Sequence, residues 1–215
     1  MKKIKGFTLV ELMVVVIIMG IMAAVAMPSM NAFVAKSRIN NRAEQIASLF
    51  RYAKGEAIRM NKAIIICGNA IRSDGRPSGN CNKDNYSSGL KAFADMNRTG
   101  AYEADTDQNI RTIAINGNGA GDKVKVEVDY FNLQKTKDDK PKNGQGEFVF
   151  LQNGRFGLKD QGNVTLSSHY VRIKLMDAEN EKNTSRHRYV IISPSGSTMT
   201  CPAGSDKDTK LCKAA

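Results

Sequence analysis

Lys3-Ile-Lys-Gly-Phe-Thr8 runs straight into an apolar stretch from Leu9 to Met27, and the reading of this junction decides what kind of chain follows. The stretch has the length that spans a bilayer core, roughly twenty residues at helical rise. One ionisable group lies inside it, Glu11. A carboxylate in hydrocarbon costs about 2–3 kcal/mol even on the gentlest insertion scale, so such a residue takes a partner and a function. Nothing within the stretch supplies that partner. A secretory signal peptide also begins with a basic region and an apolar run. Here, however, the run follows the Gly6-Phe7 junction instead of preceding a small-residue cleavage site, and it is too long for an ordinary signal.

Lys5-Gly-Phe-Thr-Leu-Val-Glu-Leu-Met-Val-Val15 resembles the signature of type IV prepilins and type II secretion pseudopilins. The resemblance implies that a prepilin peptidase cuts after Gly6 and that the new amine of Phe7 is N-methylated. It further implies that Glu11 pairs with the Phe7 amine of a neighbouring subunit in a fibre. The physics agrees, because two charges that are each costly in an apolar bundle become tolerable when they meet. A plain membrane anchor, the competing reading, leaves Glu11 without a reason.

Charge sets the orientation. Lys2, Lys3 and Lys5 precede the apolar stretch, which places the N-terminus in the cytoplasm and the bulk of the chain in the periplasm of a single-pass inner-membrane protein. Removing residues 1–6, with three lysines and no acidic residue, lowers the formal net charge from +11 to +8. Excess positive charge favours polyanions or an anionic surface, yet Lys and Arg are spread along the chain without a basic run of nucleic-acid type.

Four cysteines fit an oxidising periplasm. Cys67 and Cys81 bracket one turn-rich segment, and Cys201 and Cys212 bracket another. Local pairing is the least costly of the three possible connectivities, so two disulfides are expected. A zinc site competes, but neither pair has CxxC spacing and the two histidines, His169 and His187, are far apart in sequence.

Beyond the apolar stretch the helix is expected to continue, loosened or kinked at Pro28, which removes one backbone hydrogen bond. Ile39, Ala43, Ile46, Phe50, Ala53, Ala57 and Met60 then recur at steps of four and three, forming one apolar stripe. Sustained spacing of this kind also suits a coiled coil. The alanines in the stripe favour a sheet approaching closely. After Lys62 the period changes to that of strands: Ala63–Cys67, Leu90–Ala94, Ile110–Ile115, the alternating Val124, Val126, Val128 and Tyr130, then Phe148–Leu151, Phe156–Leu158, Val171–Leu175 and Tyr189–Ile192. Six to eight short strands separated by Gly and Asn turns predict an antiparallel sheet domain with the helix on one face, an α+β fold. The expected organisation is a leader at 1–6, a transmembrane and assembly helix at 7–27, an amphipathic periplasmic helix at 28–62, and a β-rich domain at 63–215 closed by the two disulfides.

Within the minor subunits, the pattern is similar to the FimT/FimU and pseudopilin H group. Arg51-Tyr-Ala-Lys-Gly-Glu-Ala-Ile-Arg59, Phe93-Ala-Asp-Met-Asn-Arg-Thr-Gly100, Phe150-Leu-Gln-Asn-Gly-Arg-Phe-Gly157 and Val190-Ile-Ile-Ser-Pro-Ser-Gly196 carry that resemblance. The cysteine placement resembles pilus-associated members of beta-proteobacteria. What this implies is a structural subunit that helps initiate a type IV pilus and sits at or near its tip, supporting motility, adhesion or DNA uptake. Its partners are other minor pilins, the major pilin, prepilin peptidase and the inner membrane. A pseudopilin H of a type II secretion system, or a DNA-binding pilin for natural transformation, is the alternative.

Two further constellations bear on ligands. Asp95, Asn97 and Thr99 followed by Gly100 resemble the start of an EF-hand loop, with Glu103, Asp105 and Asp107 nearby, but Thr106 stands where a bidentate Glu is needed, so a solvated hairpin turn is the better reading. Some FimT-type pilins take up DNA through a Gly-Arg-x-Arg motif after the last strand; Ser195-Gly-Ser-Thr-Met199 lacks both arginines. Phosphate contacts then fall to Lys207, Lys210 and Lys213, diluted by Asp206 and Asp208. The missing arginines thus weigh against nucleic acid as a partner without removing it. No nucleophile motif, phosphate loop or metal triad is present, no cofactor is expected, and the Gly117-Asn-Gly-Ala-Gly121 run reads as a turn. An enzyme is not expected.

Overall fold

The computed structural model describes residues 7–72, 74, 76–116, 122–131, 147–160, 163–201 and 210–213, the side chains of 24–29, 83, 160, 210 and 213 excepted. The chain divides into two units, Met1–Arg38 and Ile39–Ala215. One helix, α1 (Leu9–Met60), contributes to both, and its backbone is helical through Pro28.

In the second unit α1 buries one stripe: Ile39, Ala43, Ile46, Phe50, Ala53 and Ala57. Ala47 and Leu49 widen it, and Met60 packs at its end. The helix stops at Asn61, whose left-handed backbone (φ 51°) suits the residue just past a helix end.

Ten described strands follow, all paired antiparallel: β1 Ala63–Gly68, β2 Gly89–Asp95, β3 Gln108–Ala114, β4 Val124–Phe131, β5 Glu147–Phe150, β6 Phe156–Asp160, β7 Asn163–Leu166, β8 Tyr170–Asp177, β9 Arg188–Ile192 and β10 Thr198–Cys201. They form the expected antiparallel domain as two sheets, six strands ordered β3-β2-β1-β5-β6-β7 and four ordered β10-β9-β8-β4. The helix stripe joins one core with Ile64, Ile66, Phe148 and Phe150 of the larger sheet and Val126, Ile173, Val190 and Ile192 of the smaller. That settles the alternative of an intermolecular coiled coil for this stripe, because a sheet of the same chain occupies it.

Strands β7 and β10 are absent from the sequence reading for a physical reason. Asn163-Val-Thr-Leu166 and Thr198-Met-Thr-Cys201 do alternate polar and apolar residues, but over four positions only, the shortest run by which a strand is recognised, and β7 is exposed throughout. The near-continuous apolar runs of β1 and β2 also find their cause. Ile64 and Ile66 face the main core, whereas Ile65, Cys67, Phe93 and Val149 form a second cluster on the opposite face of the same sheet. A third cluster of Phe131, Ile191, Cys201 and Cys212 backs the smaller sheet.

Candidate functional site

Phe7 stands 89% exposed at the start of the helix, and Gly6 and the leader lie outside the described residues. Glu11 has a partner inside its own chain, Thr8, immediately before the apolar stretch. Its Oε2 accepts from the Thr8 backbone N–H at 2.8 Å and from the Thr8 hydroxyl at 2.9 Å, while its own N–H donates to Thr8 Oγ1 at 3.3 Å. Thr8-x-x-Glu11 is a capping box, and it satisfies donors that a helix start leaves orphaned. The Thr-x-x-Glu spacing is readable in sequence. From Leu9 to Met22 the large apolar side chains are exposed all round, for example Leu9 at 76%, Val16 at 59% and Ile21 at 62%. A helix apolar on every side is built for lipid or for other helices. Among the described residues no helix is long and apolar enough to cross a membrane.

Both cysteine pairs are locally bonded, Cys67 to Cys81 and Cys201 to Cys212, with Cα atoms 5.5 and 5.9 Å apart. Cys67 and Cys81 lie with the outer cluster of the larger sheet, and Cys201 and Cys212 with that of the smaller. With every cysteine oxidised, no thiolate is left for zinc. Gly68 makes the first loop possible, since a Cβ there would lie 2.4 Å from the Asn82 carbonyl oxygen. Buried Asn69 donates to the carbonyls of Ser78 (2.9 Å) and Asn80 (3.0 Å), and Lys91 Nζ donates to that of Gly79 (3.2 Å) while lying 3.0 Å from the centre of the Tyr102 ring.

Lys91 carries a pH signature. Burial pushes its ammonium down from 10.5 to about 8, and the Asp107 carboxylate opposes the shift. The fold therefore favours the neutral amine. Between about 8 and 10.5 the unfolded chain binds more protons than the folded one, so the stabilisation is complete above 10.5 and is lost as pH falls through about 8. Urea midpoints across that window are expected to climb for the native chain relative to Lys91→Met. Parallel midpoints would show that the amine is solvated.

The loop between β2 and β3 spends its oxygens on itself. Asp107 accepts from the Met96 and Glu103 backbones (3.0 and 2.8 Å) and Asp95 Oδ2 from the Gly100 backbone (3.0 Å), while Asn97 bonds Glu103 and Thr99. Asp105 is exposed. Among the described residues no three His, Cys, Asp or Glu side chains are placed to hold a metal ion. His187 is buried with its Nε2 2.9 Å from the Glu181 carbonyl. Lys207 and Gly117–Gly121 lie outside the described residues; Lys210 and Lys213 bound a short helix, α2 (Lys210–Lys213), without described side chains. Ser195–Ser197 lie in the turn into β10 and Thr198 and Met199 in the strand itself, and the Ser195 carbonyl accepts from Lys54 at 2.9 Å.

A long N-terminal helix on antiparallel sheets, opening on a methylation motif, is the arrangement of the pilin-like class. Residues 1–27 match the prokaryotic N-terminal methylation motif. Residues 42–196 match the family of the type II transport protein GspH, and the chain belongs to that family. It is a minor pilin or pseudopilin. Similarity extends to a fimbrial protein of Pseudomonas aeruginosa, 40% identical over 65 residues, which is 30% of this chain and 42% of that protein. The type IV major fimbrial protein FimA of Dichelobacter nodosus is 36% identical over 77 residues, 36% of this chain and 40% of FimA. The chain thus spans about two fifths of the length of these curated relatives. Among solved structures, the type IV minor pilin FimU of Pseudomonas aeruginosa is similar with 16% identity and a TM-score of 0.45, over 84% of this chain and 98% of that one. The minor pseudopilin EpsH of Vibrio cholerae is similar with 11% identity and a TM-score of 0.43, over 78% and 98%.

Proposed function

We propose that this chain is a minor subunit that helps initiate a type IV pilus and remains at or near its tip. Prepilin peptidase cuts after Gly6, the Phe7 amine is methylated, and residues 7–27 hold the subunit in the inner membrane with its β-rich domain in the periplasm. On assembly the Glu11 carboxylate leaves Thr8 for the amine of a neighbour's Phe7, and Pro28 lets the helix adjust as it enters the bundle. Other minor pilins and the major pilin are the partners.

The observation that carries this reading is the junction itself: an exposed Phe7 one helical turn from Glu11, at the head of a helix apolar on every side. A pseudopilin of a type II secretion system is the second reading, favoured by the family description over residues 42–196. Replacing Glu11 with Gln keeps the size and the hydrogen bond to Thr8 while removing the charge. The variant is expected to fold normally and to enter fibres severalfold less than the native chain; wild-type incorporation would remove Glu11 from the assembly step. A deletion strain that loses twitching but secretes normally supports the pilus, and the reverse supports secretion.

A further inference from the structure

A cleft of about 300 Å³ opens on the face of the six-stranded sheet opposite the main core. Ile65 and Val149 form its floor, Val164 of the edge strand β7 one wall, and Lys62, Arg98 and Lys159 its basic lining. Asp95 also lines it and is only 6% exposed. One of its oxygens accepts from Gly100, but Oδ1 has no hydrogen-bond partner. A buried acceptor left unpaired is costly, so the site favours an occupant that brings a donor. Lys159 is committed to Glu147 at 2.8 Å and to the Gly100 carbonyl. Lys62 and Arg98 form no ion pair with a described residue and stand ready for carboxylates.

We infer that this cleft docks a peptide segment of another subunit in which a basic side chain, aimed at Asp95, lies between acidic residues that meet Lys62 and Arg98. The charge order discriminates against other classes. A phosphate backbone would meet the unpaired Asp95 oxygen, and a metal ion would meet two or three cations beside a single carboxylate. The inference does not depend on which fibre the chain joins.

The test uses the full chain in detergent micelles, isotope-labelled for NMR, with two probes: acetyl-Glu-Lys-Glu-amide and its charge-reversed counterpart acetyl-Lys-Glu-Lys-amide. The first is expected to shift the Gly100, Lys159 and Val164 amides saturably, and the second to bind about tenfold more weakly, the worth of one charge-assisted hydrogen bond. Asp95→Asn keeps an acceptor for Gly100 but turns the free oxygen into a donor, and should weaken the first peptide by a similar factor. Lys62→Gln with Arg98→Gln, at the cleft mouth, should weaken it and flatten its salt dependence; that pair decides the matter if Asp95→Asn does not fold. No shift with either peptide, equal shifts with both, or undiminished binding by the variants would overturn the assignment.

Discussion

Truncating Phe50 to alanine is expected to destabilise the domain by about 3–5 kcal/mol. Phe50 is fully buried, and its ring meets Phe148 edge-on at 5.2 Å and Phe150 at 6.3 Å. Those rings in turn contact Phe156, at 6.2 and 5.3 Å, and Tyr86 lies 5.8 Å from Phe148. The substitution thus opens a cavity where helix and sheet are held together by rings, and rings collapse poorly onto a void. Domains of this size are stable by about 5–15 kcal/mol, so this one change removes a large share. Urea unfolding should show a much lower midpoint with little change in slope. Tyr52→Ala, two residues along but 45% exposed, is the control and should cost less than about 1 kcal/mol. If Phe50→Ala behaved like the control, the helix would not be anchored by this cluster.

Replacing Cys67 and Cys81 together with alanine should lower stability by about 3 kcal/mol, the chain-entropy value for a loop of this size. Cys67 also belongs to the outer cluster with Ile65, Phe93 and Val149, and the loop it closes is tied down by Asn69 and Lys91. Losing the bridge is therefore expected to loosen a defined patch in addition to shifting the global equilibrium. Amide exchange should accelerate at Asn82 and Ser78, whose N–H groups donate to Gly68 and Ala70, before it does in β8 and β9. Uniform acceleration throughout the domain would mean that the bridge acts only on the unfolded chain.

Much of this architecture is legible in the residues. The stripe from Ile39 to Ala57 declares its buried face because a helix repeats every 3.6 residues and most of its apolar positions fall on one side. Eight of the ten described strands announce themselves by β-branched or aromatic residues. The two others, β7 and β10, are half β-branched as well but only four residues long, and their pairing with β6 and β9 is what marks them as strands. The local cysteine pairing is likewise readable, since short loops close at low entropic cost.

The site was legible in proportion to how local its chemistry is. Gly6, Phe7 and Glu11 are adjacent in sequence, and charge beside an apolar run needs no fold to be noticed. Thr8 was readable by the same logic and changes the account of Glu11, which has a partner in its own helix turn. Asp95, by contrast, reads as a calcium-like oxygen in sequence, and only its burial reveals that one oxygen is spent on Gly100 and the other is unpaired. Lys91 carries no sequence signal of its depressed pKa. By itself the chain of residues determined the N-terminal methylation motif, the helix stripe and the α+β class, because these rest on periodicity and nearest neighbours. Only the tertiary structure decided that there are two sheets, that each disulfide lies with an outer cluster, and that Lys62, Asp95, Arg98 and Lys159 share one cleft, because these depend on contacts between residues distant in sequence.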